Sequence, residues 1–233
     1  MVALSVVFLM PFGLICFIIG ILGFRKAMTV ATNRIAFAWA WYIIFLTRSK
    51  ITVVGRENIP KTGGVCFVCN HGSVFDVVLT LAFTNRPFGF IAKKELLFVP
   101  LLNAWIAILG GLFIDRKNPR KGLKTINKGI KRLKSGSGIL IFPEGSRSRG
   151  QGLLPFKAGS FRLASQSGVP VVPIAISNSY NLFEVNYRIN KVPLRIEFCK
   201  PLTANEIPHA TRKQYLADET QKLIEEALNK TKS

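Results

Sequence analysis

Acidic side chains are scarce in this sequence. Twelve Asp and Glu stand against 32 Lys and Arg in 233 residues, for a formal net charge of +20. A surface this basic argues against a cationic partner and implies an anionic one: nucleic acid, anionic lipid or a phosphorylated substrate. Cysteine and histidine are scarce as well. The four cysteines, Cys16, Cys66, Cys69 and Cys199, are scattered and make no disulfide framework, which points to a cytoplasmic setting. Cys66-x-x-Cys69 has no second pair and no nearby histidine, so no metal is expected. There is no phosphate loop of the G-x4-G-K-[ST] type, no G-x-S-x-G nucleophile elbow, no internal repeat and no low-complexity tract. Zinc-finger and RNA-recognition signatures are also missing, which counts against nucleic acid as the anion.

What is abundant is apolar. Hydrophobic residues make up 49% of the chain and the mean hydropathy is +0.31, which excludes disorder and fits a folded domain in contact with a membrane. Residues 1–24 carry no charge. As a helix they would run roughly 36 Å against a hydrocarbon core of about 30 Å. Pro11 and Gly13 can bend this stretch, so a span and a two-helix hairpin dipping into one leaflet both stay open. After Arg25, Lys26 and Arg34 comes a second apolar run, 35–46, too short to span and expected at headgroup depth through Trp39, Trp41 and Tyr42, with two buried core helices as the alternative reading of the two runs. The basic residues that follow each run favour a cytoplasmic location for the rest of the chain. Two parts are therefore expected: membrane-anchoring helices over 1–50, detachable near residue 46, and an α/β domain over 51–233.

From residue 51 short β-branched runs alternate with helical stretches. Strands are expected at 51–55, 65–69, 89–92, 111–115, 138–142, 171–176 and 194–198. Helices are expected from Ser73, over a basic stretch at 121–135, after Lys157, and over 205–230. Buried strands joined by crossover helices imply a largely parallel mixed sheet flanked by helices. The basic stretch contains no acid from Arg116 to Lys134, and beyond a solvated face it offers an electrostatic hold on anionic headgroups.

His71 directly follows the VCFVCN strand, where α/β sites open. Asp76 lies five residues on, and five residues of continuous helix would turn the two side chains roughly 140° apart. They meet only if His71 sits in the loop and Asp76 in the first helical turn. Ser73 as N-cap with Asp76 at N3 would permit that, and would equally explain Asp76 as a mere cap. Further polar clusters stand at strand ends: Gly111 to Arg116 (GLFIDR), Phe142 to Ser148 (FPEGSRS) and Val169 to Pro173 (VPVVP).

In this order the blocks resemble the 1-acyl-glycerol-3-phosphate acyltransferases and the wider glycerolipid acyltransferase family. Asn70, His71 and Asp76 match its N-H-x4-D block. Gly111, Phe113, Asp115 and Arg116 match the second, Phe142, Pro143, Glu144, Gly145 and Arg147 the third, and Val169, Pro170 and Pro173 the fourth. The likeness implies acyl transfer from a thioester to a glycerol hydroxyl. His71 would be the base and Asp76 its orienter. Arg116 and Arg147, then Lys94 and Lys157, would hold the acceptor phosphate. Glu144 would bind glycerol hydroxyls, and backbone N–H groups around Gly145 would meet the oxyanion. No cofactor is implied; acyl-carrier protein or coenzyme A would bring the acyl group as substrate. The product would be phosphatidic acid, with glycerol 3-phosphate or a lysophospholipid as alternative acceptors.

Overall fold

The computed structural model describes residues 25–230. In chain order its first half contains α1 (Arg25–Thr47), β1 (Ile51–Val54), β2 (Val65–Cys69), α2 (Phe75–Thr84), β3 (Phe88–Lys93), α3 (Leu102–Ile108) and β4 (Leu112–Ile114). Then come α4 (Pro119–Lys134), β5 (Gly138–Ile141), α5 (Arg162–Ser167), β6 (Val171–Ser177), α6 (Ser179–Phe183), β7 (Leu194–Phe198) and α7 (Arg212–Asn229). All seven expected strands are present within a residue or two of their expected ends.

The strands form one sheet in the order β1-β7-β6-β2-β5-β3-β4. Every neighbouring pair is parallel except β6 with β7. β2 is buried along its whole length, as a strand covered on both faces must be, and this accounts for its unbroken VCFVC run. β7 instead alternates: Leu194, Ile196 and Phe198 are buried while Arg195 and Glu197 pair with each other at 2.6 Å. Alternation along β2 sends Phe67 and Cys69 to one core and Cys66 and Val68 to the other. The two cysteines of the C-x-x-C run thus face opposite sides of the sheet, and burial pushes the Cys66 thiol up to about 12.

α1 and α2 cover the first face, and α4, α5 and α7 the second. α4 begins where Asn118 Oδ1 accepts the Lys121 N–H at 3.0 Å, with Pro119 opening the helix. It stops at Gly136, whose φ of +92° suits glycine alone among common residues. Lys131, Arg132 and Lys134 sit in its last turn, favourably toward the helix dipole. β3 approaches the turn between α3 and β4 closely: a β-carbon on Gly89 would lie 2.1 Å from the Gly110 carbonyl oxygen.

The N-terminal expectation changes. Residues 35–46 are not a separate interfacial segment but the second half of a continuous 23-residue helix. Ala36, Ala40, Ile43 and Ile44 are buried, and Ala40, Ile43 and Ile44 share one cluster with strands β2, β6 and β7. Trp39 packs against that cluster, whereas Trp41, Tyr42 and Phe45 are exposed, Trp41 meeting Phe83 edge-on at 4.9 Å. The boundary expected near residue 50 therefore runs through one packed unit. Burying Ile43 and Ile44 contributes roughly 1.5–3 kcal/mol each, so cutting at residue 46 removes part of the core as well as any anchor. Among the described residues no helix is long and apolar enough to cross a membrane. The apolar stretch 1–24 lies outside them.

Candidate active site

The sheet order explains how distant motifs meet. β2 lies between β5 and β6, so the chain connections leave in opposite directions on its two sides. The segments following β2, β4, β5 and β6 all emerge at the same sheet edge, because these strands run parallel. They carry His71, Asp115 and Arg116, Phe142 to Ser148, and Asn178 to Glu184 respectively.

Asn70 ends β2 as a strand extender. Its Nδ2 donates to Ile176 O at 3.0 Å and its Oδ1 accepts from Ile176 N at 2.8 Å, so the side chain continues the pairing to β6. His71 then turns out of the sheet. Its ring stacks on Phe142, with centroids 4.1 Å apart and planes at 24°. Nδ1 lies 3.0 Å from Asp76 Oδ2, which fixes the Nδ1–H tautomer and leaves Nε2 as the acceptor nitrogen.

Asp76 is fully buried in the first turn of α2. The same Oδ2 accepts the Ser73 N–H at 2.8 Å, while Ser73 Oγ accepts from Phe75 N at 3.2 Å. One oxygen thus meets both the imidazole and the Ser73 N–H at the start of α2, whose N-cap is Val74 rather than the expected Ser73. No protein donor reaches Asp76 Oδ1 among the described residues.

Glu144 departs from its expected role. It is buried rather than presented to glycerol hydroxyls, and its two oxygens accept the His71 N–H at 2.5 Å and the Leu154 N–H at 3.1 Å. Burial pushes its carboxyl above the usual carboxylate range, with those two amides pulling the other way. Glu144 is thus a clamp on the backbone of His71, aided by Ser148 N, which donates to His71 O at 2.7 Å. Glu144→Ala is expected to orphan two amides at roughly 1–3 kcal/mol each where they stay dry. A thermal unfolding scan should show a clear fall in midpoint; an unchanged midpoint would remove the clamp.

Gly145 also differs. Its φ is +80°, and its N–H closes a turn onto Phe142 O at 3.1 Å, so that amide is not available to an oxyanion. Two cations flank it instead: a β-carbon added there would lie 2.9 Å from Lys157 Nζ and 3.4 Å from Arg116 Nη1. Arg116 Nη1 donates to Gly145 O, and neither cation forms an ion pair among the described residues. Lys94 and Arg147 are paired. Lys94 Nζ bonds Asp115 Oδ2 at 2.9 Å and holds that carboxyl below its usual range, helped by the Lys117 and Asn118 amides. Arg147 Nη1 bonds Glu184 Oε1 at 2.7 Å.

The fourth block does not join this edge. Val169 and Pro170 enter β6 at its start, the opposite end from His71, and Pro170 O receives the Cys66 N–H at 2.9 Å. Pro173 sits inside the strand opposite Val68 and accepts from Cys199 N. Three residues gained roles the sequence did not assign: Phe142 as the ring beneath His71, Asn70 as the strand extender, and Glu184. The first two lie within blocks already singled out; Glu184 lies in no motif.

A hydroxyl placed at His71 Nε2 can give up its proton there, with Asp76 balancing the imidazolium that forms. The Acyltransferase family model matches residues 50–177, more than half of the chain. The 1-acyl-sn-glycerol-3-phosphate acyltransferase of Salmonella typhimurium is 36% identical over 158 residues, which is 67% of this chain and 64% of that protein. The one from Borreliella burgdorferi is 35% identical over 147 residues, 63% of this chain and 59% of its own. The chain thus spans about three-fifths of the length of these relatives. A crystal structure of the 1-acyl-sn-glycerophosphate acyltransferase of Thermotoga maritima is similar at a TM-score of 0.75 and 25% identity, covering 97% of this chain and 98% of that one. By the match to the family model and the 36% identity to a relative over 67% of this chain, the chain belongs to the acyltransferase family.

Proposed function

We propose that the protein moves a fatty acyl group from a thioester to the sn-2 hydroxyl of 1-acyl-glycerol 3-phosphate, yielding phosphatidic acid for phospholipid synthesis. The observation that carries this reading is the His71–Asp76 pair at 3.0 Å, with Nε2 left for substrate, beside several basic side chains. The hydroxyl proton passes to His71 Nε2 as the oxygen attacks the thioester carbonyl. The tetrahedral adduct then breaks its C–S bond, and the thiolate takes the proton from the imidazolium. A thiolate leaves readily, so the transfer needs no acyl-enzyme and no cofactor. Arg116 and Lys157 at Gly145, with Arg147 and Lys94, provide the charge that a phosphate-bearing acceptor requires.

An acceptor with one acyl chain resides in a bilayer, and the proposal places the protein at a membrane with this domain on the cytoplasmic side. Support comes from exposed apolar side chains: Trp41, Tyr42 and Phe45 on α1, and Leu97, Phe98 and Val99 next to Lys94. Residues 1–24 are the proposed anchor. Deleting them alone should keep the α/β fold and lower the fraction that floats with liposomes in high salt, where basic contacts are screened. Flotation equal to that of the intact chain would overturn the anchor.

The function itself is tested with purified protein in detergent or vesicles, using acyl-coenzyme A and acyl-carrier protein in parallel as donors. Lysophosphatidate should be consumed well ahead of an uncharged monoacylglycerol. Equal rates on the two would remove the phosphate site, and preference for glycerol 3-phosphate or a lysophospholipid would replace the acceptor.

A further inference from the structure

Glu184 has no place in any acyltransferase-like block, yet it reaches the candidate site from outside it. It closes α6, a short helix held down by Leu182, which is fully buried, and by Asn190, whose N–H donates to Leu182 O and whose Nδ2 donates to Asn181 O. The Glu184 N–H donates to Tyr180 O at 2.9 Å, and Phe183 packs against Phe75 with ring centroids 5.7 Å apart. The carboxylate is 9% exposed by residue. Its Oε1 takes two donors: Arg147 Nη1 at 2.7 Å, and the Val74 N–H at 3.0 Å. Val74 lies three residues after His71, immediately before α2. One oxygen thus joins the cation of the third block to the loop that carries the base.

We infer that Glu184 is a positioning residue: it aims the Arg147 guanidinium at the acceptor phosphate and sets its distance from His71. The inference rests on the proposed function, in which Arg147 meets that phosphate. Arginine has a flexible stem and a planar fork, so its value as an anion holder depends on what fixes the fork. Here a nearly buried carboxylate occupies one Nη and leaves the other nitrogens for a second anion. Glu184 needs no contact with substrate to do this.

The test compares Glu184→Gln, Arg147→Gln and the double variant with the intact chain. Glu184→Gln is expected to raise KM for lysophosphatidate roughly three- to tenfold with kcat within about twofold of the intact protein. If Glu184 acts through Arg147, the double variant should match Arg147→Gln within about twofold in kcat/KM. A second readout does not depend on turnover: phenylglyoxal labelling of Arg147, followed by peptide mass mapping, should quicken several-fold in Glu184→Gln while labelling of Arg212 stays constant. Should the Gln variant fold poorly, Glu184→Asp keeps the charge but is too short to reach both donors, and should shift KM and labelling the same way. An unchanged KM, additive losses in the double variant, or unchanged Arg147 labelling would each overturn the inference. An intact protein that turns over no lysophosphatidate would overturn the proposed function instead, and labelling would still decide on Glu184.

Discussion

Replacing His71 with alanine is expected to cut acyl transfer by about 10²–10⁴-fold, the usual worth of a positioned general base, while the fold survives. The separation of chemistry from stability follows from where the contacts lie. The bonds that fix this loop to its surroundings use the His71 backbone: its N–H to Glu144 and its carbonyl from Ser148. Alanine keeps both. The side chain itself is 20% exposed. What is lost is the stacked contact on Phe142, roughly 0.5–1.5 kcal/mol, and the Nδ1–H bond to buried Asp76, roughly 1.5–3 kcal/mol for a bond to a charged group, while Asp76 Oδ2 keeps the Ser73 N–H. Circular dichroism should therefore stay close to that of the intact protein, with a single cooperative unfolding transition at a lowered midpoint. A well-folded His71→Ala protein that retains near-full turnover would end the mechanism.

Asp76→Asn should fall nearly as far, about 10²-fold or more in kcat, and it too should lose stability. The carbonyl of asparagine can stand where Oδ2 stands, accepting from Ser73 N and from the imidazole, so the start of α2 keeps its acceptor. The negative charge that balances a protonated His71 is gone. The new NH₂ would occupy the place of Oδ1, which is buried with no protein partner among the described residues. An unsatisfied buried donor costs roughly 1–3 kcal/mol. Rates read at a temperature well below the lowered midpoint separate the two effects. Turnover within a few-fold of the intact protein would restrict Asp76 to capping the helix.

The sequence was most readable where one physical signal acted locally. The unbroken apolar run of β2 and the alternation of β7 match their burial directly. α6 leaves no periodic signal in the sequence because a five-residue helix has too few turns to show one. Residues 35–46, the second half of α1, differ between sequence and structure for another reason. An apolar aromatic run looks the same whether its partner is lipid or protein, and only α2 beneath Ala40 and Ile43 decides.

The same division holds at the site. Sequence alone determined the chemistry on offer: an imidazole after a buried strand, a carboxylate five residues on, strand ends rich in glycine and arginine, and a strongly basic surface. It also determined that the sheet would be mostly parallel, since long helical crossovers separate most strands. Only the tertiary structure decided which of these groups meet. Parallel strands gather their C-terminal ends at one edge, which brings Phe142 under His71 and Arg116 to Gly145, and leaves Pro170 at the far end. It also decided that Glu144 faces inward and that Glu184, 110 residues from Val74, closes on the same loop. Periodicity and motif spacing describe neighbours along the chain, whereas a buried carboxylate takes whichever donors the packed fold brings within 3 Å, and that is set by strand order.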